Sequence, residues 1–124
     1  MNFKFTKKDK LKSKKQIEYL FEKGNSIVAY PLLLKYCEAE FADNVIVKTA
    51  VSVSKKKFKN AVDRNSIKRL IREVFRLNKP HYFNNLKTQY ALMILYIGTE
   101  QPIYKSLENN MKDLLVRFNK EISK

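Results

Sequence analysis

A chain of 124 residues that is 44% hydrophobic and 31% charged is sized for one folded domain with a modest core, and its net charge of +14 points to a polyanion as partner. Its single cysteine, Cys37, excludes an internal disulfide and a Cys-rich metal site, and its two glycines exclude a Gly-rich phosphate loop. No apolar run approaches a membrane span, and the basic N-terminus lacks the apolar segment of a secretory signal, so a cytoplasmic protein with no membrane partner is expected.

In chain order, residues 1–12 are basic and expected to be extended or frayed. Ser13 suits a helix N-cap, and the helix should run through Ile17, Leu20 and Phe21 to Gly24 as its C′ residue. Those three apolar residues, at i, i+3 and i+4, make one face, and the simplest role for all three is core. Strands follow between residues 26 and 54. Pro31 excludes a central-strand position there. In the stretch 32–41, Leu32, Leu34 and Tyr36 share one face and Leu33, Lys35 and Cys37 the other. Ala42-Asp43-Asn44 is a polar turn, after which Val45–Ser54 is expected to pair back as a hairpin. There Val45, Val47, Val51 and Val53 share the apolar face, and Lys48, Ser52 and Ser54 the polar one.

A basic helix is expected from Ala61 to Leu77, closed by Lys79-Pro80 because proline disfavours helix in the residue before it. His81–Thr88 reads as a connector. Tyr90–Ile97 (YALMILYI) reads as a central strand buried on both faces. After Gln101-Pro102, Tyr104, Leu107, Met111, Leu114, Leu115 and Phe118 form the packing stripe of a last helix. The expected order is α-β-β-(β)-α-β-α, a single α+β domain over 1–124 with helices packed on one face of a small mixed sheet.

The positive charge is concentrated. Residues 1–15 hold seven Lys and one Asp, and residues 55–76 hold nine basic and two acidic residues. At about 100° per residue, Arg64, Asn65, Lys68, Arg69, Arg72 and Arg76 fall within an arc of roughly 140°. Ile67, Leu70, Ile71, Val74 and Phe75 fall opposite. A solvated face usually mixes signs, whereas here only Asp63 and Glu73 interrupt the cations. With the loop residues Lys55, Lys56, Lys57, Lys59 and Asn60, this face suits a nucleic acid. The N–H groups near Ala61–Arg64 are candidate phosphate donors. Aromatic and small polar residues near a sheet face favour RNA.

Catalytic chemistry has little to stand on. Cys37 and His81 are the only residues of their types, no metal or nucleophile motif is present, and the twelve carboxylates are scattered. A binding protein with no catalytic residue and no metal of its own is expected.

The stretch Ser52-Val53-Ser54-Lys55-Lys56, Asn60-Ala61-Val62, Arg64-Asn65, then Ile67-Lys68-Arg69-Leu70-Ile71-Arg72-Glu73 resembles the signature of the bacterial ribonuclease P protein component, with strand, loop and helix at nearly the family's spacing. The first helix KQIEYLFEKG and the order of later elements agree over about residues 7–118. Four positions depart from the pattern. Ser66 replaces the last Arg of the RNR triplet, and the loop Lys57-Phe58-Lys59 is one residue longer and lacks the usual glycine. Ile17 and Lys35 stand where aromatics are frequent.

The resemblance implies an αβββαβα sandwich with a left-handed βαβ crossover, which the general handedness rule would not predict. It implies the small subunit of a ribonucleoprotein that removes the 5′ leader of precursor tRNA, with catalysis by the RNA subunit and its Mg²⁺ and no obligate protein partner. It places RNA binding on the basic loop and helix, by position on Arg64, Asn65, Lys68, Arg69 and Arg72, to which the charge pattern adds Lys55, Lys56, Lys57, Lys59, Asn60 and Arg76. It places leader binding in a cleft of Phe21, Lys35, Ser52, Ser54, Lys55 and Lys56. A ribosomal or other RNA-binding protein of related fold is the alternative, and the SVSKK-to-KRLIRE spacing favours the former.

Overall fold

The computed structural model describes residues 9–84 and 86–123. Among them the chain forms α1 (Lys14–Lys23), β1 (Asn25–Ala29), β2 (Leu32–Glu38), β3 (Val47–Val53), α2 (Ala61–Tyr82), β4 (Tyr90–Tyr96) and α3 (Tyr104–Ile122). This is the expected αβββαβα order around a four-stranded mixed sheet.

The strands lie in the order β1-β2-β4-β3. β1 and β2 make the hairpin around Tyr30 and Pro31, with Ile27 opposite Leu34 and Ala29 opposite Leu32. β4 pairs antiparallel with β2 and parallel with β3. The expected hairpin of Val45–Ser54 with the stretch 32–41 is therefore corrected. Alternation fixes which side chains share a face, but it carries no information about which strand lies alongside. β4, apolar on both faces, takes the centre. β3 goes to the edge, with Lys48 and Ser52 on its polar face.

One sheet face carries Leu32, Leu34, Tyr36, Leu92, Ile94 and Tyr96 into the main core. There they meet Ile67, Ile71, Val74 and Phe75 of α2 and Leu107, Met111, Leu114, Leu115 and Phe118 of α3. On the opposite face Leu20 of α1 packs with Leu11, Ala91 and Met93. The expectation that the helices share one face holds for α2 and α3 and is corrected for α1. The second face of β4 also needs a cover, and α1 supplies it.

α1 starts where Ser13 Oγ accepts the Gln16 N–H (3.3 Å), as expected of an N-cap. It ends at Gly24, whose N–H donates to Leu20 O. Gly24 has φ −68° and ψ 148°, an ordinary extended conformation. The reason for glycine here is space, since a Cβ would lie 2.6 Å from Leu20 O.

α2 does not stop at Lys79-Pro80 but runs on to Tyr82. A proline inside a helix costs about 3 kcal/mol. Several contacts on either side of the proline offset it. Asn78 Nδ2 donates to Val74 O (2.8 Å), Phe83 N–H donates to Lys79 O (3.2 Å), and Asn119 Nδ2 of α3 donates to Tyr82 O (2.9 Å). Phe83 is buried between Phe75 and Phe118, with ring centroids 5.8 and 5.9 Å away. Fully burying such a ring is worth roughly 1.5–3 kcal/mol.

Of the extended and frayed alternatives for 1–12, Lys10 and Leu11 take the extended one, with Lys10 bridged to Thr49; residues 1–8 lie outside the described residues. Leu11 is buried and its N–H donates to Thr49 O (3.1 Å). Asp9 pairs with Lys79 of α2 at 2.9 Å. The outer edge of β3 is thus covered at Thr49, a protection that exposed edges commonly need.

Candidate nucleic-acid interface

The lysine loop is anchored from beneath. Ser54 Oγ accepts the Lys56 N–H (3.2 Å), and Ser54 O accepts the Phe58 N–H (3.1 Å). These bonds turn the chain so that Phe58 is buried, its ring 5.9 Å from that of Tyr96. Lys55, Lys56, Lys57 and Lys59 remain exposed. Lys57 Nζ donates to Ile97 O at 2.7 Å.

Two residues expected to bind RNA shape this loop. Arg64 Nη1 donates to both Phe58 O (2.7 Å) and Lys59 O (2.9 Å), drawing the loop onto the first turn of α2. Asn60 is the N-cap of α2, its Oδ1 accepting the Val62 N–H at 2.9 Å. The Arg64 N–H is taken by Asn60 O. The expectation of free phosphate donors along Ala61–Arg64 is thus corrected for Val62 and Arg64.

Farther along α2, Asn65 and Arg69 are exposed and Lys68 and Arg72 half-buried. Lys68, Arg69 and Arg72 have no ion pair among the described residues. Arg76 is held by Glu73, with Nη2 to Oε1 at 2.5 Å and Nε to Oε2 at 3.3 Å, so its charge is partly offset. The Lys79–Asp9 pair, with Leu11 bonded to Thr49, places this side of α2 next to the edge of β3. Lys68 and Arg72 lead toward it at helical spacing.

The polar sheet face adjoins α1. Val28, Leu33, Leu95 and Ser52 lie in one row across β1, β2, β4 and β3, with Ser26, Lys35, Met93 and Ala50 in the next. Leu20 is buried over this face, Ile17 is half-buried, and Phe21 is 48% exposed. Of the three, Leu20 is core and Ile17 packs partly against it, whereas α1 turns Phe21 to the open side. Lys35 Nζ donates to Phe21 O (3.5 Å) and Ser26 Oγ (3.3 Å), so Phe21 and Lys35 stand together. Ser52 is two strands from Leu33, about 10 Å across the sheet. Ser54, Lys55 and Lys56 continue from the same end of β3. Sequence reasoning missed Val28 and Leu95 as neighbours in this row, because strand order was needed to bring them together.

Cys37 and His81 make no catalytic pair. Cys37 packs against the α1 layer, where burial pushes its thiol pKa up, away from the reactive thiolate. His81 lies in the last turn of α2, a helix packed on the other face. Among the described residues no group of three His, Cys, Asp or Glu side chains could hold a metal ion, and no helix is long and apolar enough to cross a membrane.

The sequence profile of the family described as Ribonuclease P matches residues 5–119. The chain belongs to the ribonuclease P protein family. The ribonuclease P protein component of Porphyromonas gingivalis is 34% identical over 120 residues, covering 94% of this chain and 87% of that protein. That of Clostridium botulinum is 33% identical over 110 residues, covering 88% and 93%. The RNase P protein of Staphylococcus aureus, solved at 2.0 Å, superposes with a TM-score of 0.71 at 24% identity, covering 89% of this chain and 94% of that one. The RNase P protein of Thermotoga maritima gives 0.69 at 18% identity, covering 87% and 96%. At those identities the superpositions speak for the fold, and the sequence matches carry the family. Family membership favours the ribonuclease P reading over a ribosomal protein of related fold.

Proposed function

We propose that this chain is the protein subunit of ribonuclease P, binding the catalytic RNA subunit and the 5′ leader of precursor tRNA while the RNA subunit cleaves the leader. The supporting observation is a division of labour within the signature. Ser54, Asn60 and Arg64 are spent on holding the loop, which leaves Lys55, Lys56, Lys59, Lys68, Arg69 and Arg72 for phosphates. The backbone that carries those cations is held as a strand–loop–helix unit, so docking RNA has side chains to order but no loop.

The leader lies in the cleft beside α1. A single strand offers base faces and phosphates together, and the cleft offers the exposed ring of Phe21 and the ammonium of Lys35, which donates to the Phe21 carbonyl. The Ser52 hydroxyl serves the leader's backbone, and Ser54, whose oxygen accepts the Lys56 N–H, has only its O–H to donate there. The protein supplies no catalytic group, and the Mg²⁺ belongs to the RNA subunit. Cations from the protein lower the Mg²⁺ that the assembled RNAs require, because they neutralise some of the same phosphates. The working place is the cytoplasm, with no membrane and no obligate protein partner.

The test compares binding of a leader-bearing precursor tRNA and of leaderless tRNA to the RNA subunit, with and without this protein. The protein should tighten binding of the leader-bearing form selectively. Lys35→Ala and Phe21→Ala should reduce that selectivity while leaving affinity for the RNA subunit intact. Equal selectivity with and without the protein would contradict the cleft assignment.

A further inference from the structure

A groove of about 360 Å³ lies at the sheet end that carries the lysine loop. Its walls are the β1–β2 turn with Tyr30, the stretch 98–103, and the first turns of α3 with Ser106 and Asn110. Tyr30 is 65% exposed and Ile103 is 71% exposed. Single exposed apolar residues need no explanation, but an exposed aromatic on the wall of a concave site invites one. The floor is rigid: Tyr96 OH donates to Glu100 O at 2.6 Å, and a Cβ on Gly98 would meet that hydroxyl at 2.7 Å.

Two contacts join the groove to the lysine loop. The ring of Phe58 packs on that of Tyr96, and Lys57 Nζ reaches Ile97 O, next to Gly98. Lys57 thus sits beside the 98–103 wall, and a polyanion lying on Lys55–Lys59 has the groove within reach. We propose that the groove receives one unpaired nucleotide of that RNA, with its base stacked on Tyr30 and its phosphate left outside on the lysines. Glu100 on the wall rejects a phosphate, which fixes the base as the part that enters. Gln101, Ser106 and Asn110 bring amide and hydroxyl groups for the base edge. A second copy of the chain is disfavoured as occupant, since two molecules of net charge +14 repel.

This inference rests on the RNA-binding reading above, and the two fail differently. Wild type, Tyr30→Ala and Tyr30→Phe would be titrated with a bacterial ribonuclease P RNA over a salt series, beside a Lys68→Ala/Arg72→Ala control. Stacking on one aromatic is worth about 1–3 kcal/mol, so Tyr30→Ala should bind about 5- to 150-fold more weakly. Its slope of log K against log salt should match wild type, because no phosphate contact is lost. Tyr30→Phe should bind like wild type, and the melting temperature of Tyr30→Ala should be unchanged because the ring is exposed. The control should give a shallower slope. Unchanged affinity of Tyr30→Ala would overturn the proposal, as would a shallower slope for that variant. A Tyr30-dependent dimer in sedimentation would overturn it in favour of a second copy. Binding of wild type with no salt dependence would instead sink the underlying electrostatic reading.

Discussion

Arg64 stands where the basic loop meets the basic helix, and its guanidinium is already committed to the carbonyls of Phe58 and Lys59. Its position in the signature suggests an RNA contact; its geometry makes it a brace for neighbouring lysines. Charge-assisted bonds of this kind contribute about 1.5–3 kcal/mol each when shielded, and less where one is exposed, as here. Arg64→Ala should therefore lower stability by about 1–2 kcal/mol and speed amide exchange across residues 56–60, read by hydrogen exchange. Arg64→Lys should restore little of this, because a single ammonium does not reproduce the planar donor geometry. Full restoration by lysine would show that the charge alone matters. Gly24 ends α1 as expected, but for a reason its place in the sequence does not show. Its conformation suits any residue, so Gly24→Ala should gain about 0.4–1 kcal/mol from the unfolded chain. The 2.6 Å approach to the Leu20 carbonyl outweighs that gain, since overpacking costs typically 1–3 kcal/mol. A net loss in urea unfolding is expected. Neither role is legible in a sequence, because side-chain bonds to carbonyls and close backbone approaches leave no periodic trace.

At the scale of elements, the two sequence periods told the faces and not the neighbours. The alternation in β3 correctly opposed Val47 and Val53 to Lys48 and Ser52, and the apolar run of β4 correctly implied a central strand. Pairing of β3 with β4 rather than β2 depends on long-range competition for the centre of the sheet. The same limit applies to the end of α2. Local rules stop the helix at Pro80, whereas Phe83, seated between Phe75 and Phe118, carries it on. Phe83→Ala should cost about 3–5 kcal/mol and should fray α2 beyond Asn78. Chemical-shift changes confined to the mutated side chain, with residues 79–82 still helical, would show that proline is tolerated for another reason.

For the whole molecule, burial and charge occupy opposite sides of the same elements, and the charge was the most legible feature of the sequence. The core face holds Tyr36, Tyr90 and Tyr96, whose phenols are pushed above their ordinary value first by burial and then by nearby carboxylates or phenols. A group with a raised folded pKa contributes stability that is intact below the unfolded value and lost as pH climbs through the folded one. Stability from these tyrosines should thus hold through neutral pH and fall above about pH 10, near the ordinary phenol value. Tyrosinate absorbance should appear later in the folded protein than in urea; coincident titrations would contradict burial as the cause. The solvent-facing side, with the Lys55–Arg72 surface and the cleft beside α1, carries the central claim. Its most direct test is cleavage of a 5′-extended precursor tRNA by a bacterial ribonuclease P RNA at low Mg²⁺, with and without this protein, and by the protein alone. Cleavage at the mature 5′ end that requires both RNA and protein is the expected result. RNA binding without any stimulation of a cognate RNA subunit, or cleavage by the protein alone, would contradict it.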